Sequence, residues 1–145
     1  SDHNVRVYGD DIIPVDTFRV PALILGGGVK PERVERLVTQ PDALATALDL
    51  LGLDLEYPIL GNSIFSDRQT GVSLLQFHEL YGLRIADEIA VIQPDKPAET
   101  YRVTAEDHLE PAAHNTALEK DALAFVVVLD YLYRNRLYTT APVIK

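Results

Sequence analysis

Cysteine, methionine and tryptophan are all missing from the 145 residues. Without cysteine there is no disulfide, no thiolate metal site and no thiol nucleophile; the absence also suits an oxidising compartment. Positive charge is scarce. Lys and Arg number 13 against 22 Asp and Glu, a formal net charge of −9. Such a chain is repelled by phosphate polymers, which argues against a general nucleic-acid or anionic-membrane binder. No apolar run approaches the roughly 18 residues of a membrane span. Neither a signal peptide nor an internal repeat is legible. The chain opens on Ser1 rather than Met, so it reads as a processed product or a piece of something longer.

What is present is ordinary globular material: 47% apolar and 24% charged residues, too apolar for disorder. The length suits one domain with at most a small appendage. Residues 18–25 (FRVPALIL) are almost continuously apolar and stop at Gly26-Gly27-Gly28. That run predicts a buried strand covered on both faces, as in a parallel sheet. Pro21 belongs near its start or at an edge. A helix is predicted over 40–51: Pro41 suits the first turn, Asp42 the positive end of the dipole, and Gly52 the carboxyl cap. Leu44, Leu48 and Leu51, with Ala47, make its apolar stripe. From Gly71 the rhythm shortens. Segments 72–78, 83–86, 88–93 and 100–104 read as strands of an antiparallel meander. Thr116-Ala117-Leu118-Glu119 is a capping box opening a long helix, with Leu118, Ala122, Phe125, Leu129 and Leu132 in one stripe. Its stretch 122–129 is apolar all round, which predicts cover on more than one side. The fold class is therefore α/β. Residues 1–65 carry the α/β part, and residues 66–145 carry a small antiparallel sheet with a long carboxyl-terminal helix.

Few residues announce chemistry. Asp2 and His3 are adjacent; where a strand opens into a loop, such a carboxylate and imidazole can share one divalent cation. Two ligands do not complete a site, and the dipeptide recurs as Asp107-His108. That second pair, among Glu106 and Glu110, reads as solvated surface. His114 reads as neutral and exposed near a helix start, and His78 as a half-buried residue at a strand edge. Gly26-Gly27-Gly28 follows an apolar run but matches no phosphate-loop spacing. Ser63 lacks a nucleophile-elbow setting, and the carboxylates are dispersed.

Three stretches taken in order carry a resemblance: SDHN at 1–4, FRVPALILGGG at 18–28, and QPDALATALDLLGLDLEYPILGNSIF at 40–65. Together they resemble the carboxyl-terminal part of the sulfatase-like branch of the alkaline phosphatase superfamily. In that branch an Asp-His pair precedes an arginine and a "VP-apolar" strand. A D-x-x-x-T-x-L-x-L-x-G helix follows, matched here by Asp42, Thr46, Leu48, Leu50 and Gly52, and then a Gly-Asn-Ser loop. The closest likeness is to the lipoteichoic acid synthase and phosphoglycerol transferase group. Asn4, where many sulfatases have glycine, leans the same way. The fold implied is a partial alkaline-phosphatase-like α/β/α sheet followed by the small antiparallel sheet.

The resemblance implies a metal-dependent, membrane-anchored transferase on the extracytoplasmic (periplasmic) face of the cytoplasmic membrane. In the group a threonine takes a phosphoglycerol unit from a lipid donor and passes it to an acceptor alcohol. A divalent metal, manganese, magnesium or zinc, is held by that threonine, a glutamate and the Asp-His pair. By position, Asp2 and His3 would be the metal ligands. The threonine, the glutamate and the remainder of the catalytic domain lie upstream of this chain in the family. No catalytic nucleophile is therefore assigned here, and the isolated chain is expected to be inactive and to bind metal poorly. A homodimer of the fragment, formed through the uncovered 18–25 strand, is a further expectation. Two alternatives stand beside this: a sulfatase or phosphoethanolamine transferase fragment, and a non-catalytic interaction module using the meander and long helix.

Overall fold

Alternating apolar side chains build residues 72–111 into a sheet that forms the middle layer of a three-layer arrangement. The structure is a computed structural model describing residues 9–26, 28–53, 58, 60–67 and 70–139. Five strands, β1 (Val72–Phe77), β2 (Leu80–Ile85), β3 (Glu88–Ile92), β4 (Glu99–Val103) and β5 (Leu109–Pro111), pair in chain order as an antiparallel meander. Two-residue loops fix the first two registers, Phe77 opposite Leu80 and Ile85 opposite Glu88. The first loop residues, His78 and Ala86, take positive φ, the region that suits primed hairpin turns. The fifth strand directly follows Asp107-His108, in the stretch that the sequence reads as solvated surface.

The period of two gives the sheet two apolar faces. On one, Leu75, Ile89, Val91 and Val103 pack against Ile13 and Val15. Those two come from the segment that ends in a 3-10 turn, Val15–Phe18. Gly82 makes the close approach possible. A Cβ there would come within 2.7 Å of Ile89 Cδ1 and 3.0 Å of Ile13 Cδ1. On the other face, Leu83 and Ala90 meet Leu118 and Ala122 of the long helix α2 (Thr116–Arg134), with Leu74, Ile85 and Phe125 around them.

Helix α2 starts as its sequence requires, but the cap is Asn115 rather than Thr116. The Asn115 side chain accepts from the Leu118 amide at 3.1 Å. Its inner stripe is the one the spacing predicts. The second cover predicted from its all-round apolarity is not found among the described residues: Leu123, Val127, Val128 and Tyr131 are exposed.

Helix α1 (Gln40–Leu50) has a reciprocal capping box. Thr39 N–H donates to Asp42 Oδ2 at 2.8 Å, and Asp42 N–H donates to Thr39 Oγ1. It ends at Gly52, whose φ of 64° is the left-handed conformation that follows a helix most cheaply at glycine. Its burial reverses expectation. Ala45 and Thr46 are the buried residues, whereas Leu44 and Leu51 are exposed and Leu48 is half-buried. Amphipathic spacing identifies an apolar face; it does not supply the neighbour.

The strand predicted at 18–25 is likewise corrected. Phe18 closes the 3-10 turn, and residues 19–26 have no regular secondary structure. Leu23 is 80% exposed and Leu25 83%. A strand exists only by pairing its backbone with another, and no described strand lies alongside this one. No described helix is long and apolar enough to cross a membrane.

Candidate functional site

Asp2 and His3, the metal ligands expected from the sequence, lie outside the described residues. Among the described residues no three His, Asp or Glu side chains are grouped so as to hold a metal ion. The polar side chains that the fold does gather lie where the segment 9–19 meets the β4–β5 turn.

The centre of that gathering is Asp107. The turn places it at φ 61°, a conformation that aspartate tolerates better than most residues. Its side chain is only 6% exposed. Arg19 donates to Asp107 Oδ1 at 2.8 Å, and the Arg84 guanidinium of β2 lies 3.7 Å away. Burial pulls the Arg84 pKa below its ordinary value; Asp107 opposes that fall and the like charge of Arg19 adds to it. Arg84 needs its counter-ion because an unpaired buried cation is far more costly than a paired one. Beside this cluster Asp11 accepts the Leu109 amide at 3.0 Å and faces His108 Nδ1 at 2.9 Å. The hydrogen bond and the charge of Asp11 raise the His108 pKa. Every carboxylate oxygen in these contacts meets a donor from the protein, so the cluster is a clamp. It bolts the segment 9–19, which follows the Asp2-His3 stretch, to the edge of the sheet.

The reading of Asp107-His108 as solvated surface is therefore half corrected. His108 is exposed and Asp107 is buried. No local signal in the sequence points to it: Arg19 lies beyond the 3-10 turn and Arg84 on β2, and only the packing of the segment 9–19 on the sheet brings both to Asp107.

A second network joins the sheet to α2. Thr100 Oγ1 donates to Glu119 Oε1 at 2.9 Å, and His114 Nδ1 lies 2.7 Å from the same oxygen. The His114 contact, then the Thr100 hydrogen bond, lower the Glu119 pKa against opposing desolvation. Asn115 Nδ2 donates to Glu88 Oε2 at 2.8 Å. His114 is exposed, as expected. His78 is exposed in the β1–β2 turn with its ring against Phe77, not half-buried. On β4, burial and a hydrogen bond to Glu99 push the Tyr101 phenol up to about 12.

Ser63 donates to Asp49 Oδ2 at 2.6 Å, and Arg36 donates to the carbonyl oxygens of Ser63 and Ile64. These contacts fasten the loop after α1 and engage Ser63 structurally. A mostly apolar cleft of about 260 Å³ lies between α1, this loop, β1 and α2, lined by Leu37, Pro41, Ile64, Leu74, Phe125 and Leu129 among others.

The arrangement defines an α/β chain whose small antiparallel sheet is covered by one long helix and by the segment 12–18. That fold has a solved counterpart. It matches a protein in the alkaline phosphatase superfamily from Vibrio parahaemolyticus with a TM-score of 0.88 and 24% sequence identity. The match covers 96% of this chain and 35% of that one, so this chain spans about a third of its counterpart. It thus has the fold of the corresponding stretch of an alkaline phosphatase superfamily protein. No protein-family model matches the sequence.

Proposed function

We propose that this chain is the carboxyl-terminal part of a metal-dependent phosphoglycerol transferase acting on lipid-derived groups at the extracytoplasmic face of the cytoplasmic membrane. One observation carries the reading. The Asp2-His3 pair, the 18–28 stretch and the 42–52 motif segment follow one another in the order of the transferase group, in a chain whose fold matches an alkaline phosphatase superfamily protein. A carboxylate oxygen and an imidazole nitrogen form a donor set suited to manganese or zinc, and the carboxylate also suits magnesium. Asp2 and His3 would hold the cation together with ligands from the rest of the catalytic domain. When bound, it would lower the pKa of the attacking hydroxyl and offset charge on the transferring phosphoryl oxygens. The contribution of this chain is to supply two donors from a segment whose continuation is clamped by Asp107 and His108.

The test uses the protein encoded by the complete reading frame, in vesicles containing phosphatidylglycerol and manganese. Release of diacylglycerol is expected, with Asp2→Ala and His3→Ala each lowering it by at least about 100-fold. Variants with undiminished release would overturn the assignment, as would a preference for sulfate esters or phosphatidylethanolamine. The isolated 145-residue chain should release no diacylglycerol and show no micromolar manganese binding by calorimetry. Tight binding there would contradict a site that needs ligands from elsewhere.

A further inference from the structure

All 22 acidic side chains precede residue 131, whereas residues 131–145 still hold Arg134, Arg136 and Lys145. The last carboxylate, Asp130, is bonded to Arg134, with 2.8 Å between Oδ2 and Nε. The chain as a whole is ill suited to an anionic surface; its carboxyl-terminal end is not. Asp121, the next acid back along α2, lies roughly 20 Å from Arg134 at 1.5 Å per residue, and charges that far apart are screened in about 0.1 M salt.

The end of α2 is apolar as well as cationic. Of residues 131–139 only Leu132 is half-buried; the rest are exposed. Tyr131 and Tyr133 are two positions apart on a helix and so face nearly opposite ways. Leu137 and Tyr138 follow in the closing turn, and the rings of Tyr133 and Tyr138 stack at 6.0 Å. The Asn135, Arg136 and Leu137 amides donate to the carbonyls of Tyr131, Tyr133 and Leu132, so the helix end has its backbone satisfied. Arg136 stands just past the cap at φ 55°, where glycine is the cheaper residue. Its side chain is exposed, so packing does not require it, and what it adds there is charge.

Charge and ring placement together select the occupant. A folded partner, a second copy included, docks on one face of a helix and leaves the ring on the opposite side wet. The interfacial zone of a bilayer is fluid and reaches every side of an inserted tip. Tyrosine suits that zone, with an apolar ring and a polar hydroxyl, and arginine suits the phosphates of anionic lipids.

We propose that the carboxyl-terminal tip of α2, residues 131–138, is a docking contact for a bilayer surface carrying anionic phospholipid headgroups. The tyrosine rings and Leu137 enter the interfacial zone, and Arg134 and Arg136 meet lipid phosphates. The proposal rests on the transferase reading in one respect. A domain tethered to a membrane meets that surface at high effective concentration, so a contact that is weak by itself suffices to orient it.

The absence of tryptophan makes the test clean. Tyr133→Trp places the molecule's one indole at the tip, and Phe65→Trp, exposed in the loop after α1, is the control. The 145-residue chain is titrated with vesicles of phosphatidylcholine, with and without phosphatidylglycerol. The tip indole should shift to the blue and be quenched by brominated acyl chains, while the control indole does neither. Partition should be at least about 10-fold stronger with phosphatidylglycerol present. Arg136→Gly, added to Tyr133→Trp, should weaken that partition about 5-fold with the melting temperature held or raised, which a merely structural role would not produce. Equal partition into both kinds of vesicle, partition into neither, or undiminished binding by Arg136→Gly would each overturn the proposal. A tip indole that becomes shielded as protein concentration rises without lipid would identify a second copy as the occupant and overturn it too. Diacylglycerol release by the complete protein is measured separately. Vesicle binding by the tip without that activity would retain the contact and remove the transferase reading; that activity without binding would do the reverse.

Discussion

Asp107 shows how much a single side chain can decide. Its carboxylate lies between Arg19, beyond the 3-10 turn, and Arg84 of β2. Asp107→Ala leaves the Arg84 guanidinium largely buried without its counter-ion, so a loss of about 3 kcal/mol is expected. The urea midpoint should fall with an unchanged slope, and Arg19→Ala should fall by less because Arg19 is mostly exposed. The neighbouring Asp11–His108 pair predicts a pH dependence. The folded-state pKa of His108 is raised above 6.5, so its contribution is complete below that value and fades as pH rises through the folded value. The melting temperature of His108→Asn should lie below the parent's at pH values under 6.5 and converge on it once pH has risen through the folded value. Glu119 has the opposite sign. Its pKa is lowered from 4.5 by His114 and Thr100, so what it contributes is present above that value and lost in acid.

At the scale of elements, the helices and hairpins were legible because their signals are local. Thr39, Asp42 and Gly52 mark both ends of α1 within its own sequence, and alternation marks the strands. The three-residue β5 was missed because it is too short to show a period and is paired only by β4. The orientation of α1 was missed for a different reason. Its leucine stripe says which face is apolar, while burial of Ala45 and Thr46 depends on the loop that brings the Ile64 amide to Thr46 Oγ1. Two substitutions test the element level. Asn115→Ala removes the cap of α2 and a partner of Glu88, and should cost about 1–2 kcal/mol in thermal or urea unfolding. Gly82→Ala puts a methyl group against Ile13 and Ile89. It should destabilise by about 1–3 kcal/mol through overpacking, although alanine suits a strand better than glycine does.

Across the whole molecule, stability is concentrated on the sheet. Ile13, Leu83, Ile89, Ala90 and Val91 are fully buried there, while α1 contributes only Ala45 and Thr46 to the interior. Amides of residues 45–50 should therefore exchange at least about 100-fold faster than those of residues 89–91 in the 145-residue chain. The Asp2-His3 pair was legible as a motif, yet a metal site is a matter of several ligands meeting in space, and neighbouring letters supply at most two of them. What the sequence determined by itself is everything encoded within a few residues: caps, turns, the period of each element, the apolar stripes and the cation-poor composition. Tertiary structure alone decided which apolar face met a partner, that Asp107 would be buried between two arginines, and that residues 12–18 would form the third layer. The physical reason is range. Backbone propensity and capping act within a turn or two, whereas burial and ion pairing depend on residues such as Arg19 and Asp107, which are 88 positions apart in the chain.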